Sequence, residues 1–134
     1  MSRDLINEYI KRFGREREIE FDPLNEQGFT TIARGSATVR VTVLDEHGVL
    51  LLLAPVMPVP EKNTEDFYRR LLELSFLATS DAAFAIDKKT DTVYLRALRR
   101  LEGIDYEEFE DLLHTIASVA DAWDDKLRAQ FGGG

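Results

Sequence analysis

Residues 49–57 read VLLLLAPVM, nine apolar residues in succession. Asp45-Glu46-His47-Gly48 precedes them, and Pro58 and Pro60 follow. The stretch is too short to span a bilayer as a helix, which takes about 20 apolar residues. Between a turn signal and prolines it reads as a β-strand. In that strand Val49, Leu51 and Leu53 face one way, and Leu50, Leu52 and Ala54 the other. A strand with two dry faces is either central in a sheet covered on both sides, or offers one face to a partner. Pro55 and Pro58 are expected to end its ladder, because proline has no N–H to donate.

The neighbouring segments supply the sheet. ATVRVTVL (37–44) alternates Val39, Val41 and Val43 with Arg40 and Thr42, the pattern of a half-buried strand. GFTTIA before it pairs across a short turn at Arg34-Gly35-Ser36, completing a three-strand antiparallel meander. AAFAID (82–87) and TVYLRAL (92–98) form a hairpin about a polar turn. Three segments follow helical periodicity instead. Residues 2–13 carry Leu5, Ile6, Tyr9, Ile10 and Phe13 on one stripe, with Ser2 as a candidate N-cap and Gly14 as a stop. Residues 14–28 are charged and irregular, with Pro23 and Gly28 as breakers.

Residues 63–81 form the second helix, capped by Asn63 or Thr64, with Glu65 and Asp66 suited to the dipole of the first turn. Its stripe of Phe67, Leu71, Leu74 and Ala78 is joined by an offset stripe of Tyr68, Leu72 and Phe76. That girth predicts burial from two sides. Asp105 and Glu108 make a capping box for the last helix, whose apolar face runs from Phe109 to Phe131. The order is α-βββ-α-ββ-α, an α+β fold with a twisted antiparallel sheet. With 134 residues the expectation is one domain over 1–131 and a flexible glycine tail at 132–134.

Composition removes several functions. The net charge of -8 and pI near 4.8 oppose nucleic acid and anionic membranes. No cysteine is present, so there is no thiol nucleophile or thiolate metal site, and a reducing cytoplasm suits the chain. Residues 1–13 are charged throughout and carry no export-leader core. His47 and His114 lack a third ligand at metal spacing. The acids at 105–111 and 121–125 fall where a helix start and a solvated helix face place them. Asp87-Lys88-Lys89-Thr90-Asp91 lacks the Gly and terminal Glu of a calcium loop. No phosphate loop or nucleophile elbow occurs. No enzyme, cofactor or metal is expected. Arg96, Arg99 and Arg100, with Arg69 and Arg70, could hold a partner's carboxylates, although solvated strand ends explain them too. What remains is apolar surplus in the first helix, in 49–54 and in the second helix. It fills a core, or it serves a homodimer interface and a peptide groove.

The chain resembles the type III secretion chaperone-like proteins, including the Tir chaperone and YbjN-like branches. The likeness covers roughly residues 3–128. It is carried by VLLLLAPVMPVP, YRRLLELSFLATSDAAFAID, DTVYLRAL and the helix with VADAWDDKL. The resemblance implies a cytoplasmic, non-enzymatic homodimer holding an unfolded segment of a secreted effector on apolar patches. It implies Phe67, Leu71, Leu72, Leu74 and Phe76 as dimer interface. It implies Leu5, Ile6, Tyr9, Ile10, Val41, Leu50 and Leu52 as groove. The chain departs from the frequent LLELN pattern, having Ser75 after Leu74. AFAID and VADAWDDKL lie nearer the YbjN-like branch, which implies instead a stand-alone regulatory or adaptor domain binding a folded partner.

Overall fold

The computed structural model describes residues 2–35 and 37–132. The expected capping side chain of Ser2, the turn residue Ser36, and Gly133 and Gly134 of the tail lie outside what is described. The elements are α1 (Ser2–Arg17), β1 (Phe29–Arg34), β2 (Ala37–Leu44), β3 (Val49–Pro58), α2 (Thr64–Leu77), β4 (Ala83–Asp87), β5 (Thr92–Arg100) and α3 (Tyr106–Phe131). The five strands form one antiparallel sheet in the order β1-β2-β3-β5-β4. VLLLLAPVM thus occupies the centre of the sheet.

Period-two alternation decides which face of the sheet is dry. Ile32, Val39, Val41, Val43, Leu50, Leu52, Ala54, Val93, Leu95 and Ala97 point to one face and are fully or nearly fully buried. The paired residues Leu52, Val41 and Ala97 stand in one row across three strands. α3 covers this face, touching β2, β3 and β5, while α1 packs on β2 and α3. α2 joins the same layer: Phe67 meets Phe131 of α3 edge-on at 5.1 Å between ring centroids. All three helices therefore sit on one side of the sheet, around a single apolar cluster.

Several boundaries differ from the sequence reading. α1 runs past Gly14 to Arg17. Its stop is Glu18, in the left-handed region at φ 58°. The Ile19 N–H then donates to the Gly14 carbonyl (2.9 Å) and the Glu18 N–H to the Arg15 carbonyl (3.3 Å). These paired bonds close the helix by satisfying carbonyls that have no intrahelical partner. α2 stops at Leu77 rather than 81, and Asn63 occupies its N-cap at φ 58° with no side-chain capping bond. β3 continues through Pro55 to Pro58, with a register shift between Pro55 and Met57. Its pairing with β2 ends at Leu53, so beyond that point the strand has one partner only, where proline is tolerated. β5 extends to Arg100. At α3 the N-cap half of the box forms: the Glu108 N–H donates to Asp105 Oδ1 at 2.8 Å, while the Glu108 carboxylate pairs with Arg99.

Both sheet edges carry side-chain stops. The backbone N–H of Phe84 on β4 donates to Ser75 Oγ of α2 at 3.0 Å. At the other edge Asn25 takes the Phe29 N–H on its Oδ1 (3.1 Å) and donates its own N–H to the Phe29 carbonyl (2.9 Å).

Candidate partner-binding surfaces

α1 shows its apolar stripe to the core. Ile6, Ile10 and Phe13 are 0–1% exposed. Tyr9 is half-buried and stacks on Tyr106 and Phe109, while its hydroxyl donates to the Ile104 carbonyl at 2.9 Å. Leu5 is the most exposed of the stripe. The expected groove set divides accordingly. Ile6, Ile10, Val41, Leu50 and Leu52 meet one another and α3 inside the fold, leaving Leu5 and the edge of Tyr9 outside. In the single chain the first five are fully or nearly fully buried and face the core. Beside α1 the chain after Glu18 folds back, forming a groove of about 820 Å3 between Asp4, Glu8, Lys11, Arg15, Ile19 and Phe21.

A polar cluster fastens α1 to α3. The Tyr106 hydroxyl donates to Glu16 Oε1 at 2.6 Å. The Arg12 guanidinium lies 4.0 Å above the Tyr106 ring, and Arg17 pairs with Glu110 at 2.9 Å. Burial, then the hydrogen bond to Glu16, pushes the Tyr106 phenol up to about 12. The same bond holds the Glu16 carboxyl below its usual range. This arrangement fixes two helices and presents no nucleophile or base to a cavity.

The expected dimer set also divides by helix face. Phe67, Leu71 and Leu74 are buried in the chain's own core. Leu72, Phe76 and Leu77 are 73%, 89% and 78% exposed, with Tyr68 beside them. The four lie on the solvent side of α2, two turns of which carry almost bare apolar side chains. Sequence periodicity found both stripes and took both for buried; only one meets its own chain.

The second dry face of β3 is on the surface. Val49, Leu51 and Leu53 are half-buried there, beside Leu44, Tyr94 and Leu98, and no helix covers them. The arginines of LRALRR separate. Arg99 is engaged by Asp81 (2.9 Å) and Glu108 (3.6 Å). Arg96 and Arg100 point out of the uncovered face. Sequence alone missed this face as a place where they gather with Arg40. The available signal was register: Leu53 pairs with Arg40 on β2 and with Arg96 on β5.

Among the described residues no group of His, Asp and Glu is placed to hold a metal ion. No described helix is long and apolar enough to cross a membrane.

Comparison with known proteins places this geometry. The pattern of the Tir chaperone protein (CesT) family matches residues 5–124. Among solved structures, the chain is similar to the ExsC–ExsE complex, with 23% identity, 93% of this chain and 95% of that chain covered, and a TM-score of 0.77. It is similar to the HopA1–SchA chaperone–effector complex, with 13% identity, coverage of 93% and 97%, and a TM-score of 0.74. It is also similar to YbjN from E. coli, with 12% identity, coverage of 84% and 87%, and a TM-score of 0.61. At these identities the likeness to solved structures is one of fold. No curated protein matches the chain.

Proposed function

The chain belongs to the Tir chaperone protein (CesT) family, and on that premise we propose that it is a non-enzymatic binding module. It works as a homodimer in the cytoplasm and holds a segment of another polypeptide, such as a secreted effector. Residues 1–131 act as one domain.

The observation that carries this reading is the bare stripe Leu72, Phe76 and Leu77 on α2. Three neighbouring large apolar side chains in water are an unfavourable surface for a lone monomer, and contiguous patches of this kind mark association sites. A helix stripe can meet its own copy about a two-fold axis, each residue facing its symmetry mate. The similar fold of a chaperone–effector complex supports the polypeptide as cargo. Cargo then uses surfaces other than α2: the uncovered sheet face, and the groove beside α1.

Sedimentation velocity tests the dimer. The wild-type chain is expected to sediment as two copies, and the double variant Leu72→Asp, Phe76→Asp as one, with an unchanged circular dichroism spectrum. A double variant that stays dimeric removes α2 as the interface. Ile6→Asp serves as the contrasting control. It places a charge in the core and is expected to unfold the domain rather than to alter assembly.

A further inference from the structure

We propose that the uncovered sheet face binds an acidic amphipathic helix of the cargo, laid along β3. The inference rests on the polypeptide-holding reading above and specifies the chemistry of what is held.

The face combines two features. Its centre is a stripe of Val49, Leu51, Leu53 and Pro55 on β3. Its flanks are cationic. On β5, Tyr94, Arg96, Leu98 and Arg100 alternate apolar and basic on the same side, and on β2 Arg40 stands opposite Leu53. Arg96, Arg100 and Arg40 are exposed, and none has an ion pair with a described residue. The Arg40 guanidinium rests 3.8 Å above the Phe29 ring, which holds it at the rim of the stripe. Asp87 is the one carboxylate among the described strand residues on this side. It sits at the end of the sheet, occupied with its own turn through the Lys89 N–H and the Thr90 hydroxyl. A chain of net charge -8 thus concentrates unpaired positive charge around an apolar strip.

Charge selects the partner's sign. Pairing this face with its copy would bring six arginines together, and like charges at close range oppose association. Acidic side chains on a partner would instead accept paired N–H bonds from the guanidinium groups.

Backbone chemistry selects the partner's shape. A sheet face offers no ladder of N–H and C=O groups, unlike an edge. An extended segment lying there would leave its own peptide groups facing apolar side chains without partners. A helix satisfies them internally. Its dimensions fit too. Arg40 and Arg96 flank Leu53 about 10 Å apart, two strand spacings, which matches the 10–12 Å diameter of a helix. From Val49 to Pro55 the stripe runs about 20 Å, or about 14 residues of helix.

Two labelled peptides of about 14 residues test this. Both carry the same leucine face; one has glutamate on its two shoulders, the other lysine. Fluorescence anisotropy at low salt is expected to show the glutamate peptide binding about ten-fold or more tightly than the lysine peptide. Helical circular dichroism should rise on binding, and added salt should weaken it. Arg40→Glu, Arg96→Glu, Arg100→Glu, combined in one chain, should reverse the preference while the protein stays folded and dimeric. Equal affinity for both peptides, or a preference that survives the triple reversal, overturns the charge argument. Binding without a gain in helix overturns the helical one. If the triple variant changes assembly and neither peptide binds, the face joins copies and the proposal falls. The charge and helix outcomes leave the α2 variants untouched, so the two readings fail separately.

Discussion

At residue scale the chain inverts a common rule at Gly14. Glycine inside a helix ordinarily costs about 1 kcal/mol relative to alanine, so Gly14→Ala would be expected to stabilise α1. Here a Cβ on residue 14 would overlap the Ile19 carbonyl oxygen and press on the Phe21 ring. The obstacle is backbone, and it belongs to the turn that closes the helix. Gly14→Ala is therefore expected to lower the urea midpoint of unfolding, at a cost of about 1–3 kcal/mol. A rise in the midpoint would mean that the chain after Glu18 swings away freely. The sequence displayed this glycine but suggested the wrong role for it. Propensity marks Gly14 as a stop, whereas the left-handed residue that ends the helix is Glu18, a type with no such preference.

Among the elements, α1 is held by polar as well as apolar contacts. The Tyr106 phenol keeps its proton more tightly in the folded chain than the free side chain, whose value is 10.0. Its contribution to stability is complete below that value and is lost as pH climbs from 10 toward 12. Glu16 has the opposite sign: its folded carboxyl is depressed, so its contribution is present above the free value of 4.5 and fades as pH falls below it. Tyr106→Phe is expected to remove the alkaline loss attached to this phenol. Titration at 295 nm should show one of the four tyrosines ionising near 12 in the wild type and missing in the variant. If all the wild-type phenols titrate together near 10, Tyr106 is neither buried nor bonded to Glu16 in solution. None of this latch was legible in the sequence, because Glu16 and Tyr106 are joined only by the fold. The stripe on α1 was legible, its direction was not. Spacing of three and four tells which side chains share a face, and cannot tell whether that face looks inward. The same limit split Leu72 and Phe76 from Phe67, Leu71 and Leu74 on α2. Strands fared better, because alternation with Arg40 and Thr42 already names the wet side.

For the whole molecule, one apolar cluster connects all three helices with the sheet. Such a core should unfold as a unit. Helical circular dichroism and the fluorescence of Trp123, the one tryptophan, are expected to trace a single urea transition with the same midpoint. Separate midpoints would mean that α1 or α2 is a detachable piece. The element order and the central place of VLLLLAPVM could be read from periodicity, since both depend on local pattern. Which layer the helices chose could not, and that choice is what left Leu51 and Leu53 outside. The edge stops have a consequence of their own. A sheet becomes a filament only when each molecule offers two free edges, one to receive and one to give. Here Ser75 stoppers β4, and Asn25 stoppers the start of β1. Each bond takes up a backbone group that a second sheet would need for pairing, so a chain this rich in apolar strands offers edge-to-edge growth fewer places to begin.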